Sequence, residues 1–209
     1  MQFFKQVAVN LRLTKYAFIR TLTAKQNLKA VCETSAGTFV LELFSKMLPI
    51  TVGSFIDLSR KGFYDGLHFH RVIKDFMIQF GCPYSKDPFS HMVGTGGPTP
   101  FSTFQSCDGS SCVRDSYGNI IDEWIHKISN TPGTVSMANT GKKNTSGSQF
   151  FINVADNTFL DYWRPTPSGH PVFGEVISGM DVINNISRVK TNINDAPVTP
   201  VKMLRVTIE

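Results

Sequence analysis

The apolar residues of this chain come in short alternating runs, each closed off by glycine, proline, asparagine or aspartate, and this punctuation limits the possible folds most. TFVLELF (38–44), HFHRVI (68–73), FMIQFG (76–81), GTVSMAN (133–139), SQFFINV (148–154), PVFGEV (171–176) and MLRVTIE (203–209) all read this way. SQFFINV alternates strictly and TFVLELF well enough to mark strands with two different faces, and the other runs read as short strands. HFHRVI and FMIQFG read as a pair joined across Lys74-Asp75. Only two segments read as helices. One opens at Pro49 and Thr51, turns Val52, Phe55 and Ile56 inward and stops at Gly62; the other is GMDVINNIS (179–187). The stretch 81–119 is loop-rich. With 16 glycines and 11 prolines spread over 209 residues, no repeat and no second domain, the pattern predicts a mainly β chain: an antiparallel barrel plugged by helices. No apolar run approaches the length of a membrane span.

Charge separates the N-terminus from the rest. The net charge is +5, but six of the 21 basic residues precede the first acidic residue, Glu33. The remainder holds 15 basic against 16 acidic residues. The basicity therefore belongs to an N-terminal extension over residues 1–30, and no basic stripe follows it, which argues against a nucleic-acid partner. An acid-free basic leader fits a mitochondrial targeting helix, with Phe4, Val7, Leu11, Phe18 and Leu22 on one face; without targeting, the location is cytoplasmic. The alternation of Val7, Val9, Leu11 and Leu13 fits an additional strand instead. The four cysteines show no metal-ligand spacing. Cys107 and Cys112 flank DGSS closely enough for a small disulfide loop, but free thiols are the expectation.

One arginine stands out. LHFHRVIKDFMIQFG (67–81) places Arg71 inside a run that reads as half-buried on both sides. Alternation in SQFFINV puts Phe150, Ile152 and Val154 on a core face, and Gln149, Phe151 and Asn153 on the other. Met77 and Gln79 repeat this pairing of an apolar side chain with an amide. Two such faces suggest a peptide groove, in which apolar pockets take side chains and amides take backbone. His68 and His70 alternate on one face, but no third metal ligand accompanies them, so a packed or hydrogen-bonded role is expected. GTGGPTP and TGKKNTSG both lack the Gly-Lys-Ser/Thr of a phosphate loop, and the first reads as a structural loop near the groove.

FHRVIKDFMIQFG and GTVSMANTGKKNTSGSQFFINV, followed by FLDYW and HPVFGEV, resemble the cyclophilin-type peptidyl-prolyl isomerases over residues 31–209. The resemblance implies an eight-stranded antiparallel barrel capped by two α-helices. It implies isomerase activity on X-Pro bonds in proteins, in folding or conformational regulation, with no metal and no cofactor. It also implies a catalytic arginine at Arg71 and a proline pocket of Phe76, Met77, Phe151, Leu160 and His170. Gln79, Ala138, Asn139 and Gln149 would line the rest of the groove. Phe159 holds the place where the family usually has a tryptophan, so cyclosporin binding is expected to be weakened. The expected partners are proline-containing peptides and proteins, with no membrane, and the protein is expected to be monomeric. The alternative is a non-catalytic proline-peptide binding module within a larger assembly.

Some residues depart from the family pattern. The usual Gln-Gly-Gly is Gln79-Phe80-Gly81 here, so Phe80 belongs to the core side or crowds the groove. Thr140 replaces an alanine and adds a hydroxyl to the groove floor. TGKKNTSG, YWRPTPSG and the loop from Phe101 to Asn119 are longer than usual. No catalytic group is lost, whereas substrate preference is open to change.

Overall fold

A computed structural model of the chain describes residues 27–165 and 168–209. The readings of residues 1–26 as a targeting helix or an added strand lie outside the described residues. Among the described residues ten strands and two α-helices follow one another as β1 (Lys29–Thr34), β2 (Gly37–Leu43), α1 (Pro49–Arg60), β3 (Arg71–Ile73), β4 (Met77–Phe80), β5 (Thr103–Gln105), β6 (Ser111–Val113), β7 (Thr134–Met137), β8 (Phe150–Asn153), β9 (Val172–Ser178), α2 (Met180–Ile186) and β10 (Met203–Ile208).

Eight strands form one sheet in the order β10-β1-β2-β9-β7-β8-β4-β3, and every pairing is antiparallel. Register shifts at Glu33/Thr34, Val40/Leu41 and Val135/Ser136 add local twist and help the sheet to curl. Its two edges meet just ahead of β3 and β10. There His68 bridges Lys202, the Phe69 amide donates to the Val201 carbonyl at 3.0 Å, and the Met203 amide donates to the Leu67 carbonyl at 2.8 Å. This closure leaves no long unpaired edge. The barrel expected from alternation is present, and it gains a strand that alternation did not single out. β1, KAVCET, lies between β10 and β2, so Lys29 and Ala30 at the end of the basic segment are in the sheet. The loop-rich stretch 81–119 also contains the separate β5–β6 hairpin.

The barrel interior is largely aromatic. Phe55 of α1 packs against Tyr64, Phe150 and Phe173, and Phe80 packs against Tyr64, Phe69 and Phe150, with ring centroids 5.0–5.8 Å apart. Each such pair adds about 0.5–1.5 kcal/mol beyond the area it buries. Phe80 is therefore a core residue and leaves the groove clear. The glycine after it has a different reason. Gly81 has φ +98°, and a Cβ there would come within 2.3 Å of the Ser148 carbonyl oxygen, so the chain can leave β4 this way only without a side chain.

α1 has Pro at its first turn and no side-chain cap of its own. Its free amides are met from far along the chain. The Glu123 carboxylate accepts from the Ile50 and Thr51 amides at 3.0 and 2.7 Å and from the Thr51 hydroxyl at 2.7 Å. A carboxylate here also opposes the positive end of the helix dipole.

Candidate active site

The groove follows from the register of β3, β4 and β8. Arg71 pairs with Gln79, and Gln79 with Phe151; Met77 pairs with Asn153. Opposed residues share a face, so Arg71, Gln79, Phe151 and Met77 all lie on the outer face, while Ile78, Phe80, Phe150 and Ile152 point into the core. Arg71 is not half-buried on both sides, as its apolar neighbours suggested: its side chain is 45% exposed. Strand alternation turns it outward and its neighbour Val72 inward, and Phe69, ahead of the strand, is buried as well.

Amides connect this arginine to a loop. The Arg71 guanidinium donates to Gln79 Oε1 at 3.5 Å, Gln79 Nε2 donates to Gln149 Oε1 at 3.0 Å, and Gln149 Nε2 donates to the carbonyls of Gly94 and Gly96, both at 2.9 Å. From below, Cys82 Sγ accepts the amides of the same two glycines at 3.2 and 3.4 Å. The GTGG loop, read from sequence as structural, thus anchors the amides. Cys82 gave no sign of this, because one buried thiol matches no motif. The one ion pair of the guanidinium among the described residues is with the Asp195 carboxylate at 3.8 Å, itself half-exposed. Both ties are long, and the fork keeps donors free for a ligand.

The residues expected to form the apolar pocket lie alongside. Met77 and Phe151 are buried yet stand outside the core cluster. The Phe151 ring meets the His170 ring edge-on at 5.3 Å. Phe76 stacks on Phe159, with centroids 6.0 Å apart, and Phe159 is 58% exposed at the rim. Leu160 sits in a 3-10 turn whose carbonyl accepts the His170 amide at 3.0 Å. Contacts thus join Phe151 to His170 and His170 to Leu160, and Met77 shares the face of Phe151. Gln79 and Gln149 line a depression together with Ala138, Asn139, Thr140 and the Gly94–Gly97 loop. Asn139 does not hold its side chain free, since Nδ2 donates to the Gly169 carbonyl and Oδ1 accepts the Gly141 amide, each at 2.9 Å. Asn153, expected on the groove face, is wholly buried and bonded to other polar side chains.

Burial lowers the pKa of both histidines near the groove, but only one of them is hydrogen-bonded. His170 Nδ1 lies 2.8 Å from the Met137 carbonyl, and Nε2 lies 2.7 Å from the Ser168 hydroxyl. A carbonyl only accepts, so Nδ1 carries the proton and Nε2 accepts from the serine. Burial lowers the His170 pKa, against weaker opposing pulls from the Met137 carbonyl and Asp122. His70 lies beside Arg71 with both ring nitrogens unpartnered. Burial pushes its pKa down to about 4; the nearby Gln149 amide opposes this slightly without reaching hydrogen-bond geometry. His68 Nδ1 is 2.8 Å from the Ser85 carbonyl. Among the described residues no group of three or more His, Cys, Asp or Glu side chains could hold a metal ion. All four cysteines are free thiols.

Residues 29–208 match the family model of the cyclophilin type peptidyl-prolyl cis-trans isomerases. The chain belongs to this family. It is 38% identical to Peptidyl-prolyl cis-trans isomerase CYP18-2 of Arabidopsis thaliana, over 83% of this chain and 88% of that protein. It is also 38% identical to Peptidyl-prolyl cis-trans isomerase cyp15 of Rhizopus delemar, over 86% of this chain but only 24% of that longer protein. Among solved structures, the cyclophilin type isomerase of Cryptosporidium parvum superposes with a TM-score of 0.70 at 26% identity, covering 88% of this chain and 98% of that one. A second structure of the same protein, in the presence of the dipeptide Ala-Pro, superposes with a TM-score of 0.68. Cyclophilins bind proline-containing peptides and catalyse prolyl isomerisation.

Proposed function

We propose that this cyclophilin turns X-Pro bonds with Arg71 as its catalytic residue and Phe76, Met77, Phe151, Leu160 and His170 as the proline pocket. Amide resonance opposes rotation with a barrier of about 18–20 kcal/mol, and uncatalysed X-Pro exchange takes roughly tens to hundreds of seconds. No covalent bond is broken, so the enzyme has only to favour the twisted state. In that state the proline nitrogen becomes pyramidal and regains its lone pair. A donor aimed at the lone pair helps the transition state and not the planar ground state. A guanidinium suits the task because it is always charged and rigidly forked, and one pre-placed donor of this kind is worth roughly 100- to 1000-fold in rate. The pocket grips the ring, while Gln79, Gln149, Ala138 and Asn139 border the peptide on either side of the bond.

The observation that carries this reading is the under-used guanidinium. Arg71 stands exposed at the end of an amide chain that orients it at 3.5 Å without consuming it. Phe159 gives the rim a large apolar face but no indole N–H, so cyclosporin binds weakly and ordinary peptides are little affected. The protein acts as a monomer on proline-containing segments of other proteins, and its basic leader directs it to mitochondria. A protease-coupled assay on a short Ala-Pro peptide tests the activity, with acceleration over the uncatalysed rate expected. Peptide binding with no acceleration would leave only a proline-peptide binding module.

A further inference from the structure

The groove residues of β8 are followed by an asparagine that never reaches the groove. Asn153 shares a strand face with Phe151 but is sealed beneath the pocket, where a second buried asparagine, Asn157, meets it. Asn157 Nδ2 donates to Asn153 Oδ1 and to the Phe76 carbonyl, each at 2.8 Å. The Asn157 carbonyl accepts the Leu160 amide at 2.8 Å, and its amide donates to the Asn130 carbonyl at 2.8 Å. Asn130 Nδ2 then donates to the His170 carbonyl at 3.2 Å and to Asp161 Oδ1 at 3.0 Å.

Three pocket walls come from two connections: Phe76 from the β3–β4 turn, and Leu160 and His170 from the long β8–β9 connection. The Phe76 carbonyl takes only one other bond, from the Val154 amide at 3.1 Å. One buried carboxamide therefore sets the distance between the Phe76 turn and the turn that carries Leu160, and Asn130 extends the tie to His170. Such groups are bonded on all sides or they are costly, so the arrangement is stiff.

We infer that Asn157 is a positioning residue of the isomerase, holding the walls of the proline pocket at a fixed separation. The inference rests on the pocket reading above. Asn157 touches neither the bond that turns nor Arg71, so its loss acts on the grip on proline, which the ground and transition states share. The effect then falls on KM more than on kcat.

The experiment compares saturation kinetics on an Ala-Pro peptide for the full-length wild type, Asn157→Ala and Ser54→Ala, well below the melting temperature of each. Ser54 lies in α1, and its hydroxyl accepts a bond from Arg114 at 2.9 Å. Both variants should melt earlier than the wild type. Asn157→Ala should raise KM about tenfold with kcat within about twofold, whereas Ser54→Ala should leave both unchanged. If Asn157→Ala does not fold, Asn157→Thr, which keeps one short donor in place of two, should raise KM about threefold. A folded variant with the wild-type KM, or one whose loss lies wholly in kcat, overturns the inference. Wild-type turnover in the same assay tests the isomerase reading separately: an inactive wild type sinks that reading, and an active one beside an unaltered variant sinks only this inference.

Discussion

Arg71 and Arg114 are the same side chain used in opposite ways. Arg114, in the loop after β6, is 1% exposed and lies over the Phe104 ring, 4.5 Å from its centroid. It donates to the hydroxyls of Ser102 and Ser54 at 3.1 and 2.9 Å and to Asp57 Oδ2 at 3.1 Å. Those partners fasten the β5–β6 hairpin onto α1. Arg71 is half-exposed and has two long ties. A buried arginine with short bonds to its partners has been fitted for stability, and an exposed one with donors to spare is available to a substrate. The contrast lies in the geometry of each and not in residue type, which is why the proposed chemistry falls to the groove and the hairpin junction is a joint.

Breaking the joint should have the largest effect on stability. Arg114→Ala leaves Asp57 with Lys61 at 2.9 Å, so the loss should fall near the low end for a buried pair, about 3 kcal/mol. For a chain of this size the melting temperature should fall by roughly 6–12 °C, with kcat/KM of the folded protein within about twofold of wild type. Thermal denaturation alongside the coupled assay measures both; a large loss of activity in folded protein would erase the distinction between the two arginines.

A pH titration of stability sharpens the comparison, because His70 is a potential cation kept neutral beside Arg71. Its folded pKa of about 4 lies below the ordinary 6.5. Between these values the unfolded chain binds a proton that the folded protein refuses, so stability is full above pH 6.5 and declines as pH falls towards 4. The full difference is about 3 kcal/mol, to which the lowered pKa of His170 adds in the same direction. Chemical denaturation of the wild type and His70→Phe across this range should show a shallower acid slope in the variant; parallel slopes would mean that His70 takes up its proton without cost.

Phe159→Trp restores a rim donor. It should tighten cyclosporin binding by about 10- to 100-fold, read by calorimetric titration, while peptide turnover changes little. Equal affinities would show that the indole contact carries less than its missing hydrogen bond implies. The smallest effect is expected from removing residues 1–26, which should leave isomerase activity within about twofold, since every groove residue lies between Arg71 and His170. A fluorescent fusion of residues 1–30 should enter mitochondria, and a diffuse signal would remove the targeting reading.

The parts of this architecture legible in the sequence were those set by local periodicity. Runs such as SQFFINV and FMIQFG alternate so regularly that strand, face and groove follow from them. KAVCET escaped notice because its inward residues, Ala30 and Cys32, are small, and because Lys29 made it look like part of the basic leader. The β5–β6 hairpin has strands too short to show a period. Contacts across long sequence separations were out of reach as well: Glu123 capping α1, Arg114 binding Ser54, Cys82 holding the Gly94 and Gly96 amides. Asn153 is the instructive case. Alternation gave its face correctly, but periodicity cannot tell whether a face is open or covered, and here the Asn157 turn covers it.

The account stands or falls on Arg71→Ala, measured as kcat/KM on an Ala-Pro peptide in the same sample whose melting temperature is recorded. The prediction is a loss of roughly 100-fold or more, carried mainly by kcat, with the melting temperature nearly unchanged because an exposed side chain with long contacts contributes little to stability. Arg71→Lys should recover only part of the activity, being a point charge and not a fork. An alanine variant that keeps more than about half of the wild-type kcat/KM would contradict the central claim and place the source of catalysis elsewhere in the groove.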